Sequence, residues 1–235
     1  MNKYFSSLVI ILIGIFMSYT QGCTSHTVRL PSADINILTN FCPGTPTVTY
    51  AGKTYNTVQI GKQCWLKENL DVGIMIEAST NQTNNNTIEK YCHNDDTAYC
   101  NTYGGFYQWN EAMQYSIIEG TQGICPSGWH IPTNEEFQPL ITSAANDGNE
   151  LKAIGQESIS GNGIVYNTTG FSALLSGSRS YYAHFFNLGY YAHFWSSTQQ
   201  IATTAINLVL DKLSDDISLK KDTKNCGYNI RCLKD

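Results

Sequence analysis

The 235-residue chain is 42% hydrophobic, enough apolar surface for a sizeable core and too much for a disordered protein. Only 14% of its residues are charged and the net charge is −5, which excludes a nucleic-acid binder of the usual basic kind, because phosphate neutralisation needs lysine and arginine. Eight cysteines point to an oxidising compartment, where thiols pair by default.

Lys3 is the only charge ahead of an apolar run from Leu8 to Met17, which Ser18-Tyr19-Thr20-Gln21-Gly22-Cys23 follows. A run of about ten residues is too short to cross roughly 30 Å of hydrocarbon, so the layout predicts a signal peptide over residues 1–22. The Gly22-Cys23 ending resembles the lipobox of bacterial lipoproteins, although Thr20 and Gln21 replace its usual Leu-Ala/Ser pair. That resemblance implies acylation at Cys23 and a cell-envelope protein anchored in the outer membrane, with the periplasmic and surface sides both open. Each buried acyl methylene contributes about 0.8 kcal/mol to such anchorage. The alternative is an ordinary secretory signal with an incidental cysteine. Without residues 1–22 the chain keeps 13 basic against 19 acidic residues, a net charge of −6, and anionic surfaces are poor partners for it. Residues 23–41 lack periodicity and read as a lipidated tether.

The folded part opens with strand-like runs at 47–50 and 54–60, where Val58 and Ile60 alternate, and a third run starts at Gln63. The tract at 79–87, STNQTNNNT, is a loop by composition. Phe106, Trp109, Ala112 and Met113 recur at helical spacing and predict a short helix. A clearer helix starts at Thr133, where Thr133 and Glu136 form a capping box ahead of Phe137, Leu140, Ile141 and Ala144. Residues 151–182 are rich in Gly and Ser and read as loops threaded around a core. The near-repeat YYAHFF (181–186) and YYAHFW (190–195), with Asn187-Leu188-Gly189 between, predicts an aromatic hairpin with His184 and His193 facing across it. Strands are expected at 203–210, 217–221 and 227–233.

If Cys23 is acylated, seven cysteines remain and one is left over. Cys42 and Cys64 flank the first strands, Cys92 and Cys100 bracket a polar loop, and Cys125 and Cys232 would staple the middle of the domain to its end. That arithmetic makes Cys226 the odd thiol, although sequence does not fix the connectivity. No C-x₂-C or H-x₃-H pair occurs, so neither a metal site nor a cofactor is expected. Cys125 with His130, the Glu135-Glu136 pair, and His93 with Asp95 and Asp96 each have a simpler reading as bridge, cap or solvated loop. No catalytic residue is assigned.

Six segments, TVQIGKQCWLKENL, YGGFYQWNEAM, GICPSGWHIPTNEEF, GFSALLSGSR, FWSST and NIRCLKD, resemble in order the motifs of the Fibrobacter succinogenes major paralogous domain, over residues 42–235. That family is similar in turn to C-type-lectin-like folds, including the sulfatase-modifying-factor domains. The implied fold is α+β, a small twisted antiparallel sheet with two flanking helices and long loops, stapled by disulfides. The chain departs from the family in the extra Cys226 and in Phe137, where Trp is commoner. The tripeptides that bind calcium and sugar in C-type lectins are absent, Trp109-Asn110-Glu111 being the nearest. A terminal reactive pair of the formylglycine-generating kind would have to be Cys226 and Cys232. The expectation is therefore a non-catalytic binding or adhesion module on an exported lipoprotein, for a polysaccharide or an envelope protein. Its contact aromatics would be Tyr181, Tyr182, Tyr190, Tyr191 and Trp195, more rings than one hairpin face can bury. An envelope enzyme of unidentified reaction and a structural part of a surface assembly are the alternatives.

Overall fold

The computed structural model describes residues 41–156 and 164–235. The predicted signal peptide, Cys23 and the tether up to residue 40 lie outside the described residues. Strands β1 (Thr47–Tyr50), β2 (Lys53–Ile60) and β3 (Gln63–Leu66) form an antiparallel meander. Its first turn has two residues, Ala51 and Gly52, at φ 48° and 79°, the doubly left-handed geometry whose twist suits a two-residue hairpin. Gly61, at φ 59°, makes the second turn between Ile60 and its partner Gln63.

The next two strands, β4 (Ile74–Met75) and β5 (Glu89–Lys90), pair in parallel across the polar tract that reads as a loop. Helix α1 (Thr97–Tyr103) follows, capped by the Asp96 carboxylate accepting from the Ala98 N–H at 2.9 Å. This helix has no apolar stripe of its own, Cys100 being its one buried residue, and periodicity does not reveal it. Helix α2 (Trp109–Ala112) is shorter than its sequence period predicts. Phe106 and Tyr107 are committed to β-bridges with Tyr91 and Tyr228, and Gln114 and Tyr115 turn left-handed at φ 49° and 60°. Strand β6 (Trp129–His130) precedes helix α3 (Phe137–Ser143). The capping box forms: the Glu136 N–H donates to Thr133 Oγ1 at 3.1 Å, and Glu136 Oε2 accepts from the Thr133 N–H at 2.8 Å. It closes a turn ahead of the helix, so regular α-structure starts at Phe137 rather than at Thr133.

Two further short strands, β7 (Ser178–Arg179) and β8 (Phe185–Phe186), pair with each other. Strands β9 (Tyr191–Ile201), β10 (Thr204–Asp211) and β11 (Ile217–Thr223) then make a second antiparallel sheet, with irregular register near Ala205. The near-repeat is therefore not a hairpin. Its first copy pairs backward with β7 and its second runs forward into β10, because a β9 of eleven residues finds a longer partner there. The predicted last strand is also shorter. Gly227, Tyr228 and Asn229 each bridge a different segment, at Arg179, Tyr107 and Phe194, and only β12 (Leu233–Lys234) is strand. That final strand lies between β3 and β6, giving a five-stranded sheet in the order β1-β2-β3-β12-β6. The result is sheet-dominated, with three short α-helices among the described residues where two were expected.

Two apolar clusters hold these pieces together. One gathers Tyr55, Leu66, Tyr107, Trp109, Trp129, Trp195 and Ile230. In the other Trp65 stacks on Phe137 at 5.9 Å between centroids and meets Phe171 edge-on at 5.7 Å. Disulfides join Cys42 to Cys64, Cys92 to Cys100 and Cys125 to Cys232, and leave Cys226 as a buried free thiol. Irregular segments are tied by buried cations as well as by sulfur. Arg179, 1% exposed, donates from Nε and Nη2 to the Ala78 carbonyl and from Nη1 to the Asn225 carbonyl.

Candidate functional site

The small β7–β8 hairpin presents the aromatic surface. Its connection, residues 180–184, is a tight loop in which the Ser180 N–H donates to the His184 carbonyl at 2.8 Å and Ala183 turns left-handed at φ 64°. Such a loop cannot fold its side chains back into the core. Tyr181 and Tyr182 project from its tip, 52% and 67% exposed, with ring centroids 3.9 Å apart. Phe186 at the end of β8 and Tyr190 at the start of the next segment are also about half exposed, and Lys212 Nζ lies 5.5 Å from the Tyr190 ring centre. Phe186 is the member that sequence reading missed. It alternates with buried-side Phe185 in YYAHFF, and that period of two was the available signal.

The other two predicted contact aromatics are placed differently. Tyr191 is only partly exposed and bonds the Asp211 side chain. Trp195 is fully buried, so it belongs to the core and not to a contact surface; its indole N–H donates to the Tyr107 carbonyl at 3.0 Å and Tyr228 packs 4.4 Å away. Trp195 and its neighbour Phe194 alternate along β9 into the two apolar clusters on opposite sides of the strand, so both are buried. His184 is exposed near Phe186, whereas His193 stacks on Tyr228 at 4.4 Å, so the two histidines do not face each other.

None of the groups considered for chemistry assembles into a catalytic set. Cys125 and Cys232 are spent on each other, which dissolves both the Cys125–His130 and the Cys226–Cys232 pairings. The Cys226 thiol is pushed up to about 11 by burial and by Asp222, so it stays protonated and unreactive near neutral pH. His93 is buried against Tyr99 and Phe185, with centroids 5.3 and 5.1 Å away, and burial lowers its pKa. Asp95 accepts from the Ala78 N–H and Asp96 caps α1, so the three do not converge. Among the described residues no group of three or more His, Cys, Asp or Glu side chains is placed to hold a metal ion.

One electrostatic device does tie the chain end to the core. His130 Nδ1 lies 2.7 Å from Asp235 and its Nε2 lies 3.1 Å from Glu136. The hydrogen bond with Glu136 raises the His130 pKa above its usual value against the opposing effect of burial, and Asp235 adds to the rise. Burial alone would raise Glu136, but His130 and Thr133 overcome it and hold the carboxyl below its usual range. A histidine with a raised folded pKa stabilises fully below its unfolded value of about 6.5, and that contribution disappears as pH rises through the folded value. His93 and His193 titrate in the opposite direction, since burial lowers both. The diagnostic is therefore a difference. Between about pH 6 and 9, His130→Gln is expected to lose the part of the decline in urea stability that wild type shows, amounting to no more than about 1 kcal/mol for this part-exposed network. Parallel pH curves for the two proteins would contradict it.

These features define a disulfide-stapled, sheet-dominated domain that displays aromatic rings from a short hairpin. The chain belongs to the Fibrobacter succinogenes major domain family, whose model matches residues 58–234. That range starts inside β2, after Cys42, and runs to the last strand. No curated protein and no solved structure matches the chain.

Proposed function

We propose that this is an exported, lipid-anchored envelope protein whose folded domain is a non-catalytic binding or adhesion module. The observation that carries the reading is the set of half-exposed rings of Tyr181, Tyr182, Phe186 and Tyr190, four aromatics within ten residues. Rings left in water stabilise nothing in the fold, and their faces suit the C–H surfaces of sugars or the apolar side chains of a protein partner. The anchor is the acylated Cys23, and the described residues contain no helix long and apolar enough to cross a membrane. The arrangement that seats the last strand beside the first meander supports reading the domain as a variation on a C-type-lectin-like fold.

The test combines a glycan array and envelope pull-down with the triple variant Tyr181→Ala, Tyr182→Ala, Tyr190→Ala. Retention on the bound partner is expected to fall at least about tenfold while the unfolding midpoint stays within the scatter of ordinary surface substitutions, about 0.5 kcal/mol. Undiminished binding by the triple variant would sink the aromatic surface. Labelling with a clickable fatty acid, lost in Cys23→Ala, tests the anchor separately.

A further inference from the structure

A second feature of the molecule lies away from these tyrosines, none of which lines it. A cleft of about 230 Å³ is bordered by Lys53, Lys67, Asn101, Thr102, Ser172 and Arg231, with Glu68 as its one acidic residue. Lys53 is already paired with Asp71, which leaves Lys67 and Arg231 against Glu68 in a chain of net charge −5.

The cation at its inner side is unusual. Arg231 is 1% exposed, its guanidinium lies 4.4 Å from the Phe171 ring centre and 5.4 Å from that of Phe194, and no carboxylate among the described residues reaches it within ion-pair distance. Its Nε and Nη2 donate to Asn69 Oδ1 at 3.2 and 2.7 Å, and its Nη1 donates to the Phe171 and Leu66 carbonyls at 2.6 and 3.4 Å. A guanidinium carries five N–H bonds, so one on Nη2 is uncommitted within the described chain. Burial depresses the Arg231 pKa to about 9, although the Glu68 charge pulls it upward. Such a group is costly unless something nearby answers it.

Glu68 acts on Arg231 only through its charge, and the hydrogen bonds and ion pairs of the nearby acids go to other groups. Glu68 accepts from the Asn56 N–H and side-chain amide at 2.7 and 2.8 Å, and Asp71 is shared between Lys53 at 3.3 Å and Lys90 at 2.5 Å. Meanwhile the exposed side chains of Lys67 and Asn101 make no hydrogen bond or ion pair with the described chain. The volume is below the roughly 300 Å³ at which drug-sized sites begin and suits a ligand of single-residue size. The one remaining guanidinium N–H and the flexible ammonium of Lys67 can each meet one oxygen of a carboxylate, and Asn101, Thr102 and Ser172 match neutral hydrogen-bonding groups on the rest of the ligand.

We infer that this cleft binds a small organic carboxylate of the size of one sugar acid or one amino acid, held between Lys67 and the inner guanidinium of Arg231. The site stands independently of the aromatic surface, and either can fail without the other.

The test is a calorimetric or NMR titration of the purified protein with D-galacturonate and with N-acetylglycine, each beside its neutral counterpart, D-galactose or N-acetylglycinamide, and beside sulfate at equal ionic strength. At least one acid is expected to bind about tenfold more tightly than its neutral counterpart and than sulfate, and the acid that does so names the source, sugar or amino acid. Arg231 also holds Asn69, Leu66 and Phe171 together, so the variants are placed on the exposed rim. Lys67→Glu is expected to weaken the acid at least about tenfold and Asn101→Ala by about threefold, with unchanged unfolding midpoints. Equal binding of acid and neutral counterpart, preference for sulfate, no binding by either acid, or an unaffected Lys67→Glu would each overturn the assignment.

Discussion

Replacing Cys125 and Cys232 together by alanine is expected to lower the stability of the domain by about 5 kcal/mol and its thermal midpoint by roughly 10–20 °C. The two cysteines are 107 residues apart in sequence, and the entropy that a cross-link removes from the unfolded chain grows with the logarithm of the loop it closes. Both sulfurs are also fully buried, in the cluster that holds Trp109, Trp129 and Trp195, so the double alanine leaves a cavity there as well. The helices among the described residues have seven residues at most, too few to persist without tertiary contacts. The Cys92→Ala, Cys100→Ala pair provides the internal scale. Its bridge spans only 8 residues, for which the same chain-entropy arithmetic gives about 2.5 kcal/mol. Urea unfolding of wild type and both double variants, without reductant, measures the two losses. If the long-loop variant loses no more than the short-loop one, the bridge is not the staple of this fold.

Trp195→Ala is expected to cost about 3–5 kcal/mol, the range for deleting a large buried aromatic. The side chain is fully buried between Tyr228 and its neighbours, and its loss also strips the Tyr107 carbonyl of its indole donor. Trp195→Phe keeps most of the packing and removes the N–H, so it is expected to fall between wild type and alanine. Tyr181→Ala, fourteen residues earlier in a similar sequence context, is expected to change stability by less than about 0.5 kcal/mol, because its ring is half in water. Denaturant midpoints for the three variants decide the matter. A Trp195→Ala protein as stable as Tyr181→Ala would return Trp195 to the surface.

The contrast between those two residues shows where reading the chain succeeds and where it stops. Period-two alternation in TYNTVQI and the Ala51-Gly52 turn act within a few residues, and they are enough to predict the opening meander. The Thr133–Glu136 capping box is likewise local and forms as written, although it closes a turn before α3 rather than its first helical residues. The three cysteine pairs follow from which segments the cysteines flank, and the structure joins the same partners. The aromatic near-repeat failed for the opposite reason. Two copies of one pattern carry the same local preference, so nothing within them says whether they pair with each other or with other strands. Partner choice was set by β7 and β10, which lie outside the repeat in sequence.

For the sites the division is sharper. Sequence nominated Tyr181, Tyr182, Tyr190, Tyr191 and Trp195 together by their number and spacing and could not separate the three exposed rings from partly covered Tyr191 and buried Trp195. It gave no sign of the Arg231 cleft, whose rim comes from residues near 53, 67, 101, 172 and 231. A lone arginine in NIRCLKD reads as a surface charge until the chain wraps Phe171, Phe194 and Asn69 around it.

By itself, then, the sequence determined membership of the family, the three cysteine pairs, the first meander and the absence of a familiar catalytic motif. These rest on residue identity and position along the chain, which need no knowledge of what lies across the molecule. Only the tertiary structure decided which aromatic rings meet water, that the leftover thiol of Cys226 is buried, and where a buried guanidinium borders a cleft. Those properties depend on contacts between distant segments, such as the hydrogen bond from Lys234 to Thr45 across 189 residues, and burial and charge compensation are defined only once such contacts exist.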